Sequence, residues 1–174
     1  MKRLFTLFVG IASIVAAAIL ISGCPAGSNA NPPSTADTTK AFTAMTTAQT
    51  TATSSSSMSS GGSGSATFSN PSGTGSVLVT FSTTGTPPTR PYTVTGTLVF
   101  TNWYDASSGY TINGTLAVTI SMGTVQITDT VTGNLTFSGG AISTLTCNIT
   151  ETTNPVSVTG TITVNGFSYD VTKL

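Results

Sequence analysis

From about Ala66 to Leu174 the sequence predicts a mainly β domain: an antiparallel up-and-down meander of about seven or eight strands, curved into a half-barrel or barrel, preceded by one amphipathic helix. Three observations predict it. First, apolar and hydroxyl residues alternate strictly: Tyr92, Val94, Gly96, Leu98 and Phe100 share one parity, and Thr93, Thr95, Thr97 and Thr101 the other. Period two is the pattern of a strand with one buried face. Second, a strand unit recurs, reading TVTGTL (93–98), TINGTL (111–116), TVTGNL (130–135) and SVTGTI (157–162). Third, the turn signals between units are short, which permits antiparallel neighbours only, because a parallel crossover needs roughly a dozen residues.

Taken in chain order, strands are expected at Ser76 to Thr83, at the first repeat, and at Tyr110 to Ile120 through the second. They continue at Val125 to Thr130 running into the third repeat, at Ile142 to Glu151, at the fourth repeat, and at Phe167 to Lys173. The turns fall at Gly85-Thr86-Pro87-Pro88, Asp105-Ala106-Ser107-Ser108-Gly109, Met122-Gly123, Ser138-Gly139-Gly140, Asn154-Pro155 and Asn165-Gly166. Asn165-Gly166 is the strongest of these, since both central residues of a type I′ turn need positive φ. The repeat glycines Gly96, Gly114, Gly133 and Gly160 lie on the apolar parity. A mid-strand glycine weakens a strand, so a repeated one implies either curvature of the sheet or close approach of a helix or ligand to the backbone.

Upstream, residues 24–65 are low in complexity and rich in Ala, Thr, Ser, Gly and Pro, the composition of a tether. Within them Ser34-Thr35-Ala36-Asp37 resembles a capping box, and Ala41, Phe42, Met45, Ala48 and Ala52 recur at helical spacing. That predicts a short amphipathic helix over about 35–50, with the Thr content opposing it. Its Phe42/Met45 stripe would dock on the following domain or on a membrane surface. Ser54 to Ser65 reads as a flexible linker.

Residues 1–23 have the form of an export signal: Lys2 and Arg3, an apolar run from Leu4 to Ile21, then Ser22-Gly23. Ile21-Ser22-Gly23-Cys24 resembles the lipobox of bacterial lipoproteins, aliphatic then small, small, Cys. The resemblance implies cleavage before Cys24, a diacylglycerol thioether on its sulfur, and an acylated amine. It places the chain in the bacterial cell envelope, held to a membrane by the N-terminal lipid, at the outer membrane or cell surface. With Cys24 so used, Cys147 has no intramolecular partner; its phase with Leu145 and Ile149 makes it a buried small hydrophobe.

Charged residues make up 6% of the chain, and without Lys2 and Arg3 three basic side chains face five acidic ones, a net charge of about −2. Such a surface has no basic footprint for nucleic acid. Histidine is absent, which removes the commonest general base and metal ligand. There is no cysteine cluster, acid pair at close spacing, phosphate loop or nucleophile elbow, so no enzyme, metal or cofactor is expected. Three local features stand as ligand-contact candidates. Trp103 and Tyr104, beside Asp105, would form a partner-binding ledge, or Trp103 would fold back to plug a barrel end. Asp129 shares the apolar parity and would point inward at a ligand, or lie hydrated at a strand end or bulge. The glycines 96, 114, 133 and 160 are the third. Asp105 with Ser107 and Ser108 falls short of a calcium loop.

Two functions fit. One is a lipid-anchored, non-enzymatic module that carries a small apolar ligand or contacts an envelope or host protein. The other is a membrane-integrated β-barrel or pore subunit, with apolar residues outward and hydroxyls inward.

Overall fold

The computed structural model describes residues 31–55, 62–71, 73–87, 89–170 and 172. The export signal, Cys24, residues 25–30 and 56–61, and the expected end of the last strand at Lys173 lie outside them. Helix α1 spans Thr35–Ser55 and is followed by β1 (Ser63–Ser69), β2 (Ser76–Thr84), β3 (Tyr92–Asp105), β4 (Tyr110–Met122), β5 (Ile127–Ser138), β6 (Thr144–Thr153), β7 (Val156–Val164) and β8 (Phe167–Asp170). The eight strands form one antiparallel sheet in sequence order, with β1 and β8 as its two edges, so the meander is present and the barrel is not closed.

The alternation predicts the faces correctly. Val94, Leu98, Phe100, Leu116, Val118, Ile120, Leu135, Leu145, Ile149, Ile162 and Val164 are all buried on one face. The other face is a grid of Thr, Ser and Asn, as in the β4–β7 row Thr119, Thr130, Thr150 and Thr159. Cross-strand hydroxyls bond each other there, Thr163 with Ser168 and Thr152 with Ser157 at 2.8 Å, and the Thr146 hydroxyl donates to Asn134 Oδ1 at 2.7 Å. The strands contain no lysine or arginine.

Helix α1 covers the apolar face over β2, β3 and β4. Ser34 caps it: its Oγ accepts the Asp37 N–H at 3.1 Å and donates to Asp37 Oδ2 at 2.6 Å. The buried positions Thr38, Ala41, Phe42, Met45, Ala48 and Gln49 follow helical spacing. Threonine is tolerated inside because its hydroxyl returns to the helix backbone, Thr38 to Ser34 O and Thr46 to Thr43 O, both at 3.0 Å. The helix runs past residue 50 to Ser55, and a strand, β1, begins within what reads in sequence as linker. β1 escapes prediction because Ser-Gly-Ser-Ala-Thr-Phe-Ser carries one large apolar residue and owes its form to pairing with β2, Ser63 with Ser82 through Ser69 with Ser76.

The repeat glycines answer to the neighbouring strand. A Cβ on Gly114 would lie 2.3 Å from Asn134 O, on Gly133 2.2 Å from Thr115 O, and on Gly160 2.0 Å from Asn148 O. Gly114 and Gly160 also have φ of 122° and 127°. Adjacent repeats interlock: Leu116 of the second faces Gly133 of the third, and Leu135 of the third faces Gly114 of the second. Leu116 Cδ2 lies over Gly133, while backbone of β5 lies over Gly114, so these positions admit no side chain.

Candidate functional site

β5 and β6 form a hairpin whose register places Asp129 opposite Glu151. Both point to the core side, where they are 7% and 3% exposed. Their cross-strand neighbours are Ile120 on β4 and Val158 on β7, and along their own strands lie Ile127, Val131 and Ile149. Asp129 Oδ1 and both Glu151 carboxyl oxygens have no hydrogen-bond partner there. Burial first, and the Glu151 carboxylate second, push the Asp129 carboxyl up to about 7, partly offset by the Thr130 backbone N–H. Burial also raises the Glu151 carboxyl. Two acids on facing strands in low dielectric favour the protonated, neutral form over two charges. The pair lies near the end of the sheet that carries the β4–β5 and β6–β7 turns.

Asp129 is thus the sequence candidate that the fold places in a polar site, with its side chain inward. Glu151 is the residue that sequence reasoning missed. The Ser138-Gly139-Gly140 turn taken alone is centred on Gly139 and would set Asp129 against Ile149, whereas the observed register is centred on Gly140 and sets it against Glu151. Separation along the chain hid the pair, and register makes it. Among the described residues no group of three His, Cys, Asp or Glu is placed to hold a metal.

Trp103 and Tyr104 are placed by a bulge. The β3–β4 register shifts between Phe100 and Trp103, with Asn102 at φ 49° and its N–H bonded to Asn113 Oδ1 at 2.7 Å. The extra residue reverses the parity, since uninterrupted alternation from Phe100 would send Trp103 to the outer face. Instead Trp103 is buried at 3% exposure and meets Phe100 edge-to-face at 6.2 Å. Tyr104 is half-buried, and its carbonyl accepts the Asn70 side-chain amide at 2.6 Å. Asp105 caps the loop that follows, accepting from the Ser107 hydroxyl and the Ser108 N–H. Beyond it Tyr110 stacks edge-to-face on Phe137 at 5.4 Å, and Lys40 of α1 lies 5.9 Å from the Tyr110 ring centroid. This end of the sheet is plugged by aromatic side chains and does not present a ledge of them.

The chain matches no family model, no curated protein and no solved structure.

Of the four glycines, Gly114, Gly133 and Gly160 have the adjacent strand against them, so the backbone beside them is occupied by the fold itself. Gly96 differs. With Phe81 and Val118 it floors a shallow depression of about 320 Å³ rimmed by Thr80, Ser82, Thr95, Thr97, Ala117 and Thr119. Gly96 keeps the apolar parity, so it meets this outer-face depression with its backbone. Cys147 is free and buried, and burial pushes its thiol up to about 11, far from the thiolate form that reactivity requires.

Proposed function

We propose that this chain is a lipid-anchored bacterial envelope protein whose β domain is a non-enzymatic module that works through its outer face. The anchor rests on the lipobox resemblance at Cys24. The observation that carries the choice of surface is the division of the sheet: the core side is filled by apolar rows and by Phe42 and Met45 of α1, and the outer side is an almost uncharged grid of hydroxyls and amides with its depression over Gly96. An interior so filled favours contact with an envelope or host protein over carriage of a small apolar ligand. The same division runs against a membrane-integrated barrel, which needs its apolar residues outward. The buried acid pair has mainly apolar cross-strand neighbours, Ile120 and Val158, which supports a conformational role over a catalytic one.

The experiment is metabolic labelling with a radiolabelled fatty acid, followed by detergent phase partition. Wild-type protein is expected to carry label and enter the detergent phase, while Cys24→Ala accumulates as an unlabelled precursor. Normally processed, unlabelled wild-type protein in the aqueous phase overturns the proposal.

A further inference from the structure

The two edges of the sheet are unequal. β8 has four residues and carries Asp170, and a short, charged edge resists pairing with another sheet. β1 has seven residues, carries no charge and no proline, and pairs with β2 without a bulge. No other described strand lies on its outer side. Among the described residues, the usual protections of an edge, a charge, a proline or a bulge, are absent from it. The hydrogen bonds that flank the strand show which groups are open: Thr83 N–H donates to Gly62 O and Asn70 N–H to Gly75 O. In an antiparallel ladder bonded residues alternate, so the even-numbered residues of β1 are satisfied by β2. Ser63, Ser65, Thr67 and Ser69 aim their N–H and C=O groups away from the sheet.

We propose that β1 is a self-association edge, through which two copies of this chain pair antiparallel about a two-fold axis at Ala66 and merge their sheets. The register is self-complementary. A two-fold at Ala66 sets Ser65 against the second copy's Thr67 and Ser63 against its Ser69, so that every outward N–H and C=O of both strands is bonded. On the core side it sets Phe68 beside the second copy's Gly64, whose own face is already covered by the Phe81 ring of its β2. Ala66 is exposed on that side, and the principal contacts of α1 are with β2, β3 and β4. On the outer side the hydroxyls of Ser63, Ser65, Thr67 and Ser69 continue the grid across the seam. A second copy is favoured over a β1-to-β8 contact because head-to-tail pairing does not close and meets the guarded edge, whereas the two-fold contact closes with both guarded edges outside. The axis is normal to the sheet, so the α1 helices of both copies lie on one side of the merged sheet.

The test is cysteine cross-linking of the full-length protein in membranes under a mild oxidant. At the two-fold Ala66 faces its own copy in a non-hydrogen-bonded pair, with Cα atoms about 4.5 Å apart, within disulfide range. Ala66→Cys is expected to run mainly as a dimer of twice the mass on a non-reducing gel, with no higher ladder, while wild type and Ser168→Cys on β8 stay monomeric. Adding Ser65→Pro removes an outward N–H and leaves the β2 ladder intact, so the dimer band should fall at least tenfold with the circular dichroism melt retained. A monomeric Ala66→Cys protein overturns the proposal. So do cross-linking at Ser168 equal to that at Ala66, and a dimer that survives Ser65→Pro.

Discussion

Asp129 and Glu151 face each other across the β5–β6 ladder, buried in an apolar surrounding, with three of their four carboxyl oxygens unpartnered. In the unfolded chain both acids ionise near 4, whereas in the fold Asp129 keeps its proton up to about 7. The native state therefore binds more protons than the unfolded state between those values, and stability falls as pH rises through that window. It is fully present below about 4 and lost above about 7.

Denaturant titrations at pH 5 and pH 8 check this directly. Wild-type protein should be more stable at pH 5 by on the order of a few kcal/mol, one pKa unit being worth about 1.4 kcal/mol. Asp129→Asn should flatten the dependence and raise stability at pH 8, because an amide keeps the shape without the buried charge. Equal pH dependence in wild type and Asp129→Asn would show that the pair does not carry the linkage.

The glycine row makes a contrasting pair of substitutions. Gly114→Ala and Gly160→Ala add a Cβ onto a neighbouring carbonyl at positive φ and should cost more than about 3 kcal/mol, enough to threaten folding. Gly166→Ala, in the last turn at φ 84° with nothing within 4 Å, should cost only about 1–2 kcal/mol. Thermal melts of the three variants separate a steric cause from a purely conformational one.

Trp103 is the only tryptophan and reports on the plugged end. Buried against Phe100, it should emit blue-shifted fluorescence and be shielded from iodide, and the shift to red on unfolding should follow the global transition. An emission already red in the native protein would put the indole in solvent and restore the ledge reading.

Phe42 tests how far α1 belongs to the domain. It is 2% exposed beneath the helix, and Phe42→Ala should cost about 3–5 kcal/mol. Leu116→Ala, buried under the same helix-covered region, should cost about 2–5 kcal/mol. A near-neutral Phe42→Ala beside a costly Leu116→Ala would show that the sheet holds together without the helix.

What the sequence determined alone was local and periodic. Alternation assigned the buried and hydroxyl faces, the Asn165-Gly166 pair set a turn whose residues do adopt φ of 49° and 84°, short connections forced an antiparallel meander, and Ser34 with Asp37 marked the helix start. These features are set by neighbours in the chain, so the chain displays them. Tertiary structure decided whatever depends on register and on partners distant in sequence: the opposition of Asp129 and Glu151, the bulge that turns Trp103 inward, the carbonyls that occupy the space beside Gly114 and Gly160, and the pairing that makes β1 a strand at all. The physical reason is that a side chain's face follows from its parity, but what it meets there is fixed by strand offset, and a single bulge residue in β3 decided between the ledge and the plug for Trp103.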